Sequence, residues 1–61
     1  MNNLKMITPT LYLDPKEIIG IEIIPNKEII IHLRNGKELI VQGTMKEITQ
    51  IKRTILGTYN D

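Results

Sequence analysis

His32 and the glutamates Glu22, Glu28 and Glu38 are the grouping in this 61-residue chain whose side chains could do chemistry. An imidazole beside a carboxylate can act as a general base, and a histidine with two or three glutamates can hold a divalent cation. Each use needs more than is present. Neither an Asp-rich calcium loop nor a helical Glu-x-x-His pair accompanies the group. The chain has no Cys and no Ser, which removes thiolate and serine nucleophiles, disulfides and cysteine-built metal centres. Its six threonines fall at caps, helix positions or the chain end, without a partnered base. Glycine-rich phosphate cradles are missing too. His32 therefore reads as a strand histidine paired across strands with a glutamate, and the glutamates as solvated strand residues. The expectation is a protein that is not an enzyme, with no metal and no cofactor. The one place where two subunits could build chemistry together is His32 facing its symmetry mate.

The elements that place these side chains follow from isoleucine. Thirteen residues are Ile, a β-branched type that packs well on a pleated surface. Three strands are predicted, at Ile18–Ile24, Glu28–Arg34 and Lys37–Gln42, broken by Pro25-Asn26-Lys27 and Arg34-Asn35-Gly36. Two-residue loops at the breaks would mix charge into both faces. Three-residue loops instead gather Ile19, Ile21, Ile23, Ile29, Ile31, Leu33, Leu39 and Val41 on one face, with Lys37 at its rim. Burial then sets the register. Gly36 suits the left-handed position of a type I turn with a G1 bulge, although Asn35-Gly36 alone favours a two-residue loop. Ahead of the strands, Asp14-Pro15-Lys16-Glu17 has the marks of one helical or 3₁₀ turn. Leu11–Leu13 reads as a brief strand. Residues 1–10 read as a short strand or a flexible arm, with Asn2 and Asn3 frayed. After Gly43, Thr44 and Glu47 form a capping box that opens a helix. Met45, Ile48, Ile51 and Ile55 make its apolar stripe, with Leu56 at the margin and Gly57 as the stop, so the helix spans about 45–56. Tyr59 is placed against the helix end. The fold class is α+β: a small antiparallel sheet of three or four strands with one C-terminal helix packed on one face.

Length and composition narrow the function classes. Residues 1–61 make one domain, and a chain this short buries only about 60% of its unfolded surface. With 41% hydrophobic and 25% charged residues it is too apolar for disorder. Tyr12 and Tyr59 are its only aromatic residues, too few for a base-stacking platform. A net charge of +1 gives no pull toward polyanions. Abundant Ile, Lys and Asn with no Ala point to a low-GC source, bacterial or phage. No signal-peptide pattern is seen, and the most apolar window, Ile18–Ile24, is far short of a membrane span. The expected location is the cytoplasm, that of the host if a phage encodes the chain.

One helix covers one face of a sheet, so the other is left over. On it the register places Ile18, Glu22, Ile24, Ile30, His32 and Ile40, together with Glu28 and Glu38, and Tyr12 is a candidate neighbour of the patch. Four isoleucines in water reach the upper limit of patches on monomers. The patch is either covered by Leu4 and Met6 of the N-terminal segment or is a protein interface, and the second reading leads. A homodimeric protein-interaction module that binds and regulates or inhibits a larger protein is the expected function. A phage product aimed at a host defence protein is one such setting. In a rival reading homodimerisation consumes this patch and the partner binds the Lys46, Gln50 and Arg53 face of the helix. A nucleic-acid-binding accessory protein using Lys46, Lys52 and Arg53 is the alternative from another class, and a metal or small-molecule binder built on His32 the third. No membrane partner is expected.

Several short motifs also carry a family likeness. Leu11-Tyr12-Leu13-Asp14-Pro15, then Ile21-Glu22, then Asn35-Gly36-Lys37 with Val41 resemble the FlbD-like family of small flagellar proteins. That family shows a similar Tyr-Leu-Asn-Pro, Ile-Glu, Asn-Gly-Lys and valine-strand order before a C-terminal helix. The likeness covers about residues 11–56. It implies a non-enzymatic regulator of motility and transfers no functional residues.

Overall fold

Strand-forming isoleucines, two turn clusters and one capping box produce five strands and a helix in the computed structural model, which describes residues 3–57. They run β1 (Lys5–Thr8), β2 (Leu11–Leu13), β3 (Ile18–Ile24), β4 (Glu28–Leu33), β5 (Glu38–Gln42) and α1 (Met45–Gly57). Strands β3, β4 and β5 form an antiparallel sheet in that order, and α1 packs on one face of it, so the fold is α+β. Strands β1 and β2 pair with each other as a separate hairpin rather than adding a fourth strand. The placements predicted for Asn2 and Tyr59 lie outside the described residues.

Both sheet loops hold three residues. Across Pro25-Asn26-Lys27, Ile24 pairs with Glu28, and the Lys27 N–H donates to the Ile24 carbonyl at 3.0 Å. Asn26 takes φ 59°, the left-handed position that follows Pro in a type II turn. Across Arg34-Asn35-Gly36, the Gly36 N–H donates to the Leu33 carbonyl and the Leu33 N–H to the Lys37 carbonyl, both at 2.9 Å. Gly36 has φ 89°, where a side chain would be strained, so the type I turn with a G1 bulge prevails over the two-residue Asn-Gly loop.

Among the described residues the buried hydrophobic cluster is made of one residue type, Ile7, Ile18, Ile29, Ile31, Ile48, Ile51 and Ile55, of which Ile29, Ile31, Ile48 and Ile55 are fully enclosed. Ile21, Ile23, Leu33, Leu39 and Val41 pack around it from the sheet, and Leu11 and Leu13 from the hairpin. The odd-residue face of the sheet is thus the helix-facing one, with one correction at its start. Ile19, predicted in the core, is 63% exposed, and Ile18, predicted on the opposite face, is buried at 9%. Ile18 pairs with Leu33 and Gly20 with His32, so Ile19 is an extra residue, a β-bulge that reverses the parity of everything before it.

The bulge is held from outside the sheet. Asp14 Oδ1 accepts from the Lys16 N–H at 3.0 Å and caps the 3₁₀ turn Pro15–Glu17. Glu17 then offers its carbonyl to the Arg34 N–H at 2.7 Å, and the Arg34 guanidinium donates to the Lys16 carbonyl, the closer contact at 3.0 Å. Backbone pairing therefore continues past Ile18 and keeps its side chain under the helix.

The helix starts as its capping box requires. Glu47 Oε1 accepts from the Thr44 N–H at 2.9 Å, and Thr44 Oγ1 accepts from the Glu47 N–H at 3.3 Å. The backbone N–H of Thr44, followed by its hydroxyl, holds the Glu47 carboxyl below its ordinary value of 4.5. Asn26 Oδ1 adds a bond from the Met45 N–H at 3.2 Å, tying the β3–β4 turn to the helix entry. Ile48, Ile51 and Ile55 are buried as the stripe predicts, whereas Met45 stays exposed because it sits at the helix start, before the stripe reaches the core. The helix ends at Gly57, one residue past the predicted span.

Candidate functional site

On the sheet face opposite α1, cross-strand pairing builds three rows. Gly20, His32 and Glu38 form the first; Glu22, Ile30 and Ile40 the second; Ile24, Glu28 and Gln42 the third. Of the six residues assigned to an interface from sequence, Glu22, Ile24, Ile30, His32 and Ile40 share this face. Ile18 does not: the bulge at Ile19 turns it into the core, and that assignment is corrected. Tyr12 belongs to the β1–β2 hairpin and so does not extend this sheet.

The face is open. Ile40 is 60% exposed and Ile24 39%, while Ile30, on the central strand between Glu22 and Ile40, is half-buried. Strand β1 packs against α1 and sends Ile7 into the core, while Leu4 and Met6 remain about half exposed. Strand β1 is thus committed to the helix side rather than folded over the second face.

His32 is held between two carboxylates. Its Nε2 lies 2.7 Å from Glu22 Oε1 on one neighbouring strand, and its Nδ1 lies 3.1 Å from Glu38 Oε2 on the other. The predicted cross-strand pair is therefore double. A neutral imidazole donates from one nitrogen only, whereas the imidazolium donates from both, and a carboxylate only accepts. Glu28, the third predicted neighbour, stands one row farther away beside Gln42 and makes no such contact.

This bracket limits the available chemistry. The ligand atoms of Glu22, His32 and Glu38 lie within 4.8 Å of one another, near enough to consider a shared cation. The two carboxylates, however, flank opposite edges of the ring. A single ion can take only one ring nitrogen, so it would have to displace the histidine from one of its partners. As a base, His32 has two orienting carboxylates, and among the described residues its polar partners include no hydroxyl. The arrangement holds the imidazole between carboxylates of the two outer strands.

A second feature was not assembled from the sequence. A groove of about 690 Å³ opens between β1, β5 and the first turns of α1, lined by Ile7, Pro9, Val41, Lys46, Gln50 and Ile51. Lys46 and Gln50 carry helical spacing and were visible as a polar helix face. Their meeting with Pro9 depends on where the β1–β2 hairpin docks, which the reading of residues 1–10 as a short strand or a flexible arm did not fix.

No helix among the described residues is long and apolar enough to cross a membrane. Compared with known proteins, the chain matches no family model, no curated protein and no solved structure, so the likeness to FlbD-like proteins rests on its short motifs.

Proposed function

We propose that this chain is a non-enzymatic protein-interaction module that binds and regulates or inhibits a larger protein through the open face of β3, β4 and β5. The observation that carries this reading is Ile24, Ile30 and Ile40 standing in adjacent rows of a face that no element among the described residues covers. Apolar surface left in water is worth about 25 cal/mol per Å² when a partner covers it. An apolar centre free of lysine, with polar side chains around it, is the composition of interface cores. The same face carries three carboxylates, which repel a phosphate backbone and count against nucleic acid as its ligand.

Homodimerisation belongs to this proposal through a different surface. Strands β3 and β5 both end the sheet with an outer edge that pairs with no strand among the described residues, and such edges invite a second chain. A twofold pairing along an edge would enlarge a thin core and leave the open face free.

A pull-down from a low-GC host tests the assignment by comparing wild type with Ile40→Glu and Lys46→Glu. Both positions are exposed, so both variants keep the fold. Loss of the captured protein in Ile40→Glu alone supports the open face. Loss in Lys46→Glu alone moves the site to the groove beside α1, and loss in neither removes both surfaces.

A further inference from the structure

The open face differs from the rest of the molecule in charge as well as in exposure. Glu22, Glu28 and Glu38 stand on it, and neither Lys nor Arg does. Lys27 and Lys37 sit in the turns at the sheet ends, and Arg34 is engaged with the Lys16 carbonyl. The only base on the face is His32, already held between Glu22 and Glu38. The protein as a whole carries +1, so this acidity is local.

That charge decides between occupants. A second copy laid face to face would set three carboxylates against the same three, with no cation to meet them, and like charges across an interface disfavour the pairing. A partner that brings apolar side chains with lysine or arginine beside them meets both components of the face at once. Shape narrows the partner further. Three strands at ~4.8 Å spacing present a strip about 10 Å wide between the outer backbones, the diameter of one helix. The opposite face already shows the solution, since α1 covers it with Ile48, Ile51 and Ile55 at helical spacing.

We infer that the open face of β3–β5 receives an amphipathic helix of the partner protein whose apolar stripe covers Ile24, Ile30 and Ile40 and whose flanking lysines or arginines pair with Glu22, Glu28 and Glu38. This rests on the reading of that face as a protein-binding surface. The binding mode is a helix laid on an apolar strip, with specificity supplied by the charges at its rim.

The test uses the full-length ¹⁵N-labelled protein and two designed peptides of about eighteen residues, roughly five helical turns. Both carry leucine at i, i+3, i+4 and i+7; one has lysine at the remaining positions and the other glutamate. The expected result is amide shifts centred on Glu22, Ile30, His32 and Ile40 with the lysine peptide, binding about tenfold tighter than with its glutamate counterpart. Replacing all three glutamates by glutamine should remove most of that preference, and rising salt should narrow it. Equal binding of both peptides on this face would overturn the basic-helix assignment while leaving the surface as an interface. Shifts centred on Lys46 and Gln50 would overturn the location. Shifts absent from the face with both peptides would overturn the inference; if Ile40→Glu also keeps the captured protein, the functional reading fails with it.

Discussion

The two faces of the β3–β5 sheet are built from the same residue type and have opposite fates. Ile29 and Ile31 point to α1 and are fully enclosed; Ile30, between them in sequence, points the other way and shares its row with Glu22 and Ile40. Strand alternation alone makes this division, because successive side chains leave a strand on opposite sides. What differs is the company. The helix-facing side is apolar throughout, while the open side interleaves isoleucine with glutamate and histidine. A purely apolar second face would invite any hydrophobic surface, including another copy of itself. Three carboxylates restrict which surfaces can settle there, at little expense to the fold, since exposed strand glutamates need no buried partner.

The strongest way to break this comparison is truncation on each side. Ile31→Ala should lower stability by about 2–5 kcal/mol, the range for an enclosed aliphatic side chain. Ile40→Ala should change it by less than ~0.5 kcal/mol, as surface substitutions do. Urea unfolding followed by circular dichroism reads both, and similar losses would show that something in solution covers the open face. A second pair probes the bulge. Ile18→Ala should cost about 2 kcal/mol and Ile19→Ala no more than ~0.5 kcal/mol, although the two residues are adjacent. Reversed values would restore simple alternation along β3.

A smaller effect concerns the helix that makes one face different from the other. Thr44→Ala should weaken the fold by about 1 kcal/mol through loss of the cap. The Glu47 half of the same box gives a pH signature. Its carboxyl is held below its ordinary value of 4.5 in the folded chain, so its contribution is complete above that value and is lost as pH falls through the lower folded value. Helical signal should therefore weaken on acidification below about 4.5, and Glu47→Gln should flatten that part of the curve. A wild-type profile unchanged by the substitution would remove the carboxylate from the cap.

Much of this architecture could be read from local pattern. Parity across Ile21–Val41 identified the helix-facing side because only three-residue loops keep charge out of it. Asp14-Pro15 announced the 3₁₀ turn, and Thr44 with Glu47 announced the helix, since each motif supplies its own hydrogen bonds within four residues. What local pattern could not supply was any decision made by distant backbone. Ile18 and Ile19 are chemically identical, and which one enters the core is settled by Glu17 pairing with Arg34 across the sheet. The same holds for His32: Glu28, four residues away on the same strand, is out of reach in any register, but that Glu22 and Glu38 both meet the ring is decided by how β3 and β5 pair with β4. Ile7 reaches the core, and Pro9 the groove, because the β1–β2 hairpin docks on α1. Alternation and capping are short-range properties of the chain. Bulges, side-chain brackets and docked hairpins depend on contacts far apart in sequence, where competing arrangements differ by only a few kcal/mol and packing decides among them.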